Sequence, residues 1–410
     1  MRAEIISIGT ELLLGHILNT NAAYLSRKLA ELGIDLYYQT TVGDNPERLI
    51  QTIRKAIARS DIVILTGGLG PTIDDVTMES VARLTDRPLV LNKIVLKDIE
   101  RYFKARGFKP PSGNDRQARV PQGAKCLHNK FGTAPALIVE HLGKVIVCLP
   151  GPPREMEPLF EDGVTQYFRK KFRSEEIIRT RTIKTIGLPE SRVNAIVKDL
   201  LKLPPPTTVG IYAKLREVHL VVMAKAESDA RARKAIAAVE KKILSRLKNC
   251  IFGYDDDTLE SIVIKSLIEK KLTISVAESC TGGLLSKRFT DISGSSGCFV
   301  AGIVSYSNES KEKLLGLPKE LINKYGAVSG QVCGRMAFGV RHIVRTDIGV
   351  GITGIAGPTG GSLRKPVGLV YISLATNEKL IVKEFRFNGS RQDIRWQASQ
   401  AALDMIRLNI

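Results

Sequence analysis

Residues 276–283 read VAESCTGG, so Ser279 and Cys280 stand side by side between the apolar run 272–276 and a helix-like stretch at 284–289. A nucleophile on such a strand-to-helix turn gains from unpaired N–H groups and the positive end of the helix dipole. It also needs a base. The segment 251–410 holds one histidine, His342, inside the helix-like run 335–342, where it reads as a structural residue. Cys280 therefore has no evident partner to lower its pKa. A serine with a lysine base is the alternative, and the stretch YSNESK supplies Tyr306 and Lys311 at a second strand-to-helix junction. A lysine made less basic by burial can take a serine proton, and a tyrosine hydroxyl can relay it. Spacing alone favours the plainer reading, in which Tyr306 packs and Lys311 is solvated.

A second group of residues lies near the other end of the chain. TGGLGPTIDD (66–75) puts Gly67, Gly68 and Gly70 after a strand, where a tight turn lets backbone N–H groups approach an anion. Thr72 closes the turn. Asp74 and Asp75 read either as caps of the helix that continues to Leu84 or as ligands of a hard cation that bridges phosphates. Glu11, after the first strand, and Asp44, after the second, fall at the same sheet end, where open α/β sheets bind ligands. Carboxylates beside a phosphate-cradling turn suit a metal-dependent pyrophosphate hydrolase. The pattern TGxxGPT returns at 353–359, again after a buried-type strand.

The elements that must position these groups alternate between strand and helix. Strands at 3–9, 34–41, 61–65 and 144–149 and helices from Asn19 and from Pro46 give an α/β, doubly wound domain over 1–170. A small α+β middle domain follows over 171–250. A further α/β domain over 251–410 opens with Asp255, Asp256 and Asp257 as acidic caps and ends in a helix at 391–408.

The chain has 410 residues and a formal net charge of +19, with basic residues spread along it; the densest run is 169–173. Such a balance attracts anionic small molecules. No RNA- or DNA-binding motif accompanies it, so nucleic-acid binding is not expected. The six cysteines show no CxxC spacing and suggest neither a zinc site nor a disulfide framework. No stretch is apolar enough to span a membrane, and the N-terminus has too short an apolar run for a signal peptide. A cytoplasmic protein is the expectation.

GTEL at 9–12, TGGLGPTIDDVT, NKFGTAP at 129–135, LPGPPREM at 149–156, AESCTGG, YSNESK, GAVS at 326–329 and TGIAGP at 353–358 together resemble the CinA family of competence/damage-inducible proteins. The resemblance implies a molybdopterin-binding-like first domain that hydrolyses ADP-ribose with a divalent cation (Mg, Mn or Co). Asp75, Asp74, Asp44 and Glu11 would hold that cation. The alternative is a first domain that binds molybdopterin or a nucleotide without turnover. The last domain resembles nicotinamide-nucleotide amidases, which convert nicotinamide mononucleotide to nicotinate mononucleotide and ammonia without a cofactor. Carried over, Ser279 is the nucleophile, Lys311 the base and Tyr306 its relay, while Thr353 polarises the amide. N–H groups from Cys280 to Gly283, including Gly282, form the oxyanion hole. Gly357 to Gly361 meet the phosphate, with Arg391 and Arg395 as weaker candidates. A homodimer is the expected assembly. One position departs from the family pattern: Ala136 follows Thr-Ala-Pro where a glycine is expected, and its methyl is expected to narrow the ligand's approach.

Overall fold

The computed structural model describes residues 1–111, 113–172 and 177–410; Arg173, the last residue of the basic run, lies outside them. The chain divides into two compact units, Met1–Arg179 with Ala224–Ala235, and Thr180–Met223 with Ile236–Ile410.

The first unit is organised by the strand Ile62–Thr66, every residue of which is buried. It runs parallel to Arg2–Ile8 on one side and to Lys144–Leu149 on the other. Because side chains alternate across a strand, its residues feed two cores. Ile62 and Ile64 join Leu25, Leu29 and Phe160 on one face, and Val63 and Leu65 join Leu49, Ile53 and Val81 on the other. Asp35–Val42 forms one edge of the six-stranded sheet. Beyond Lys144–Leu149 the sheet continues with two antiparallel strands, Ala136–His141 and Lys125–Leu127. The sheet is therefore mixed, where the alternating pattern alone suggested a parallel one. Ala136 is fully buried in the first of these cores, so its methyl faces packing and does not narrow a ligand site, contrary to expectation.

The middle of the chain forms a four-stranded sheet in the order Thr207–Lys214, Glu217–Ala226, Ile177–Ile186, Ile251–Tyr254. Its helices include Glu190–Val197 and Asp229–Leu247.

The last domain holds a five-stranded sheet ordered Phe299–Val304, Ile274–Glu278, Ile348–Gly354, Leu369–Ala375, Leu380–Arg386, the first three parallel and the last two antiparallel. In Ile348-Gly349-Val350-Gly351-Ile352 the branched residues face one core, packed by Val263, Leu267, Ile394 and Leu403. On the other face the helix Gly330–Val344 lies so close that a Cβ on Gly349 would collide with the Ala337 carbonyl. The acids at 255–257 do not cap the following helix. Thr258 does, in a reciprocal capping box with Ser261, while Asp257 accepts from the Tyr254 N–H.

Three helices of this domain meet at Arg288, whose side chain is 3% exposed. It donates to Glu260 Oε2 at 2.7 Å and Ser399 Oγ at 2.8 Å, bonds the Gln400 side chain, and sits 4.2 Å over the Trp396 ring. Removing one partner of a buried pair leaves an uncompensated charge. Arg288→Met is expected to lower stability by about 3–5 kcal/mol, read from the denaturant midpoint. Adding Glu260→Leu should return much of it; a double variant as unstable as the single one would contradict this account.

Candidate active site

The nucleophile candidate sits where the central strand Ile274–Glu278 gives out. Ser279 N–H still pairs with the Ile352 carbonyl at 2.9 Å, which fixes the backbone at the sheet's edge. The neighbouring parallel strand ends at Val304, and Ser305 N–H pairs with the Glu278 carbonyl at 2.8 Å, so the two strand ends lie level. Ser307 then caps the helix Asn308–Leu315 by accepting from the Ser310 N–H. That helix returns Lys311 over both strand ends. Lys311 is 1% exposed and Ser279 is 9% exposed.

Around Lys311 Nζ stand three oxygens: the Ser305 carbonyl at 2.8 Å, the Tyr306 carbonyl at 3.2 Å and Ser279 Oγ at 3.2 Å. An ammonium would donate to all three. A neutral amine has two N–H donors and one lone pair, and this shell fits it equally well, with both N–H groups on the carbonyls and the Ser279 O–H donating to the nitrogen. Burial holds the Lys311 pKa below the ordinary lysine value. The adjacent Cys280 thiol is pushed by burial up to about 12, so it is not a thiolate at neutral pH.

The loop after Ser279 is tightly engaged. Gly282 and Gly283 adopt positive φ. Gly282 N–H bonds the Ser279 carbonyl, and Gly283 N–H bonds Glu278 Oε2. Two of the four expected oxyanion-hole donors are thus occupied. Cys280 and Thr281 N–H make no hydrogen bond to another residue among the described residues. The Thr281 carbonyl accepts from Arg395 Nε at 3.1 Å and Nη2 at 2.7 Å. Arg391 donates to the Gly357 carbonyl at 2.7 Å and to the Tyr306 hydroxyl at 3.0 Å. The Tyr306 hydroxyl therefore meets Arg391, and its residue touches Lys311 through the backbone carbonyl, a correction to the expected relay. Thr353 is buried and donates to the Ala327 carbonyl at 2.9 Å, so its hydroxyl is committed to the fold.

In the first unit a cavity of about 390 Å³ is lined by Glu11, Asp44, Gly67, Gly68, Gly70, Thr72, Asp74 and Asp75, together with Gln117 and Glu155. Gly67 has φ of 108°, and a Cβ there would collide with the Ile8 carbonyl, so only glycine lets the turn lie against the first strand. Asp75 Oδ2 accepts from Thr72 N–H at 2.9 Å and Oγ at 2.6 Å. It braces the glycine turn; the helix Thr77–Thr85 has Val76 at its N-cap, so neither aspartate caps it. Asp44 Oδ2 does the same for Thr10, at 2.8 Å from both N and Oγ. Sequence reasoning missed Glu155 and Gln117. Glu155 is buried and accepts from Asn129 Nδ2 at 2.8 Å; Gln117 donates to the Leu69 carbonyl at 3.0 Å. Glu155 stands in LPGPPREM, directly after a buried strand at the sheet end that binds ligands, and that position was the available signal.

Three family models cover the chain: a probable molybdopterin binding domain at residues 4–170, the damage-inducible protein CinA KH domain at 180–253, and the CinA C-terminal domain at 256–410. A relative from Caldicellulosiruptor bescii, named a competence-damage inducible protein, is 50% identical over 100% of this chain and 99% of its own. The chain belongs to the CinA family. A CinA-like protein from Kosmotoga olearia is 48% identical over 99% of this chain and 98% of its own. A crystal structure of competence/damage inducible protein CihA from Agrobacterium tumefaciens is 39% identical, covers 36% of this chain and 90% of that one, and has a TM-score of 0.35.

In this CinA-family chain the fold brings Ser279 to Lys311, gathers Tyr306, Gly357 and Arg391, and lines one cavity with the first-domain residues Glu11, Asp44, Gly67, Gly68, Gly70, Thr72, Asp74 and Asp75 expected from the sequence. The first-domain acids are brought to one cavity and not to one point. Among the described residues no three His, Cys, Asp or Glu side chains are placed to share an ion. Magnesium is commonly held by one or two carboxylates plus waters and substrate phosphates. Asp44 and Asp75 fit that role, since each keeps Oδ1 clear of hydrogen bonds among the described residues.

The lowered Lys311 pKa has a stability consequence. The unfolded lysine keeps its ordinary value of 10.5, so between the folded and unfolded values the unfolded chain binds more protons and stability rises with pH. Below the folded value the cost of the buried ammonium is carried in full. Lys311→Met removes that term. The Tm difference between native and variant protein should move in the native protein's favour as pH climbs towards 10.5. A difference independent of pH would show that Lys311 is not strained by burial.

Proposed function

We propose that the last domain is a serine amidase acting on nicotinamide mononucleotide. The observation that carries this reading is the contact between Ser279 Oγ and a fully buried Lys311 Nζ, with no other side chain hydrogen-bonded to that Oγ among the described residues. Ser279 Oγ attacks the carboxamide carbon while its proton passes to Lys311 Nζ. The oxyanion is held by the free N–H groups of Cys280 and Thr281. Collapse breaks the C–N bond, and Lys311 returns the proton to the leaving ammonia. Water, deprotonated by Lys311, then cleaves the ester to free nicotinate mononucleotide and Ser279. The guanidinium of Arg391, reaching the rim through the Tyr306 hydroxyl and the Gly357 carbonyl, is suited to the nucleotide phosphate.

For the first domain we propose hydrolysis of ADP-ribose to AMP and ribose 5-phosphate, with a divalent cation (Mg, Mn or Co). The cation would neutralise phosphate charge and activate water. Asp44 and Asp75 would hold it beside the N–H groups of the glycine turn. Residues 180–253 contain no Gly-x-x-Gly, the loop with which nucleic-acid-binding KH domains clamp a strand, and no nucleic-acid partner is assigned.

Native protein incubated with nicotinamide mononucleotide should release ammonia, and Ser279→Ala should lower the rate by at least about 10³-fold. Cys280→Ser should keep it within a few-fold. Absence of release by native protein, or release that survives Ser279→Ala, sinks the amidase reading. AMP production from ADP-ribose should cease with chelator and fall at least about 10²-fold in Asp75→Ala. Tight nucleotide binding without AMP would instead make the first domain a binding module.

A further inference from the structure

We infer that Glu278 is a positioning residue for the nucleophile: its carboxylate clasps the start of the following helix and so holds the Cys280 and Thr281 N–H groups free beside Ser279. The inference rests on the assignment of Ser279 as the nucleophile.

Glu278 has no exposed surface. Oε2 accepts from the N–H of Gly283 at 3.0 Å and of Leu285 at 3.1 Å. Oε1 accepts from Ser286 N–H at 2.8 Å and Oγ at 2.7 Å. Among the described residues no cationic side chain pairs with it. A buried acid without a counter-ion is costly unless strong hydrogen bonds replace its water, and here four donors at a helix N-terminus do so.

A helix rarely needs such a device for stability. The helix Leu284–Thr290 has Gly283 at its N-cap, at a positive φ that excludes the usual serine or aspartate cap, and no local side-chain cap. The cap comes instead from the residue immediately before the nucleophile. One side chain thereby ties the end of the strand Ile274–Glu278 to the first turn of the helix, and the loop 279–282 is closed between two points fixed by the same carboxylate. Arg395 pins the loop from the opposite polarity by holding the Thr281 carbonyl with two N–H groups. Ser279 N–H goes to the sheet, Gly282 N–H closes the turn, and Gly283 N–H goes to Glu278. The two N–H groups left over belong to Cys280 and Thr281. The clasp also consumes the helix's own first donors, so an oxyanion must be met by the loop and not by the helix end.

The test uses a fluorophosphonate, which needs an activated serine but no nicotinamide. Ser279 Oγ forms a bond to phosphorus, the P–F bond breaks, fluoride leaves, and the serine proton passes to Lys311. The labelling rate at Ser279 is followed by mass spectrometry across pH, with Tm measured for each variant. Glu278→Gln keeps the shape but turns an amide NH₂ towards N–H donors. It should slow labelling at least about tenfold while the pH midpoint, set by Lys311, stays where it is in native protein. Ser286→Ala removes one of the four bonds, that from Oγ to Oε1, and should slow labelling a few-fold with a smaller loss of Tm, so it carries the test if Glu278→Gln loses its fold. Native labelling rates in folded variants overturn the proposal. So does a shifted midpoint with an unchanged plateau, which would mean Glu278 acts on the charge of Lys311 and not on the loop. Failure of native protein to label at Ser279 overturns it together with the nucleophile. Labelling without ammonia release from nicotinamide mononucleotide removes only the substrate assignment and leaves the positioning role supported.

Discussion

The last domain is built around one expensive placement, an amine taken out of water at Lys311. A buried ammonium is tolerated only if its protons are satisfied or one is lost. The shell supplies two backbone carbonyls and one hydroxyl, all from the ends of two adjacent strands. That arrangement needs the strands to end level, and parallel pairing with Glu278 opposite Val304 sets this. It needs a helix to fold back over them at once, and the Ser307 cap starts one within three residues. Burial, register and capping thus act on the same nitrogen.

Both candidate sites use a tight glycine turn after a buried strand, yet they satisfy it differently. In the first unit the turn is braced from within, since Asp75 bonds Thr72 three residues earlier. In the last domain the brace reaches across the nucleophile, from Glu278 to residues 283–286. A local brace leaves the carboxylate on the cavity wall, with an oxygen free for another charge. A buried brace uses both oxygens internally and leaves unpaired N–H groups instead. The first suits a cation and the second an oxyanion, although TGG appears in both stretches.

Much of this was legible in the sequence because it rests on local rules. The all-apolar strands, the Asn19 cap, and the helix starts at Pro46 and after Ser307 follow from periodicity and capping. The antiparallel strands 125–127 and 136–141 were not, because a strand's direction depends on which neighbour it meets. The acids at 74, 75 and 255–257 looked like helix caps since cap and turn brace draw on the same residue types. Tyr306 misled for another reason. Its residue does meet Lys311, but through the backbone carbonyl, while its hydroxyl meets Arg391. Glu155 and Glu278 went unnoticed because a buried acid is betrayed only by its partners, and those lie 26 residues away in one case and in the next helix in the other.

The first cavity contains an electrostatic conflict that limits what can occupy it. Its glycine turn offers N–H groups to an anion, while Glu11, Asp44, Asp74, Asp75 and Glu155 line the same walls. At about 4 Å, like charges in a surface-like medium repel by about 4 kcal/mol per pair, more than a few N–H hydrogen bonds return. The chain's net charge of +19 does not remove this, since solvent screens charges beyond about a Debye length. A cation set between a pyrophosphate and the acids would offset this repulsion. One oxygen each of Asp44 and Asp75 is already held by an N–H and an O–H donor. The two small threonine turns leave the second oxygen of each aspartate without a hydrogen bond among the described residues, open to such a cation.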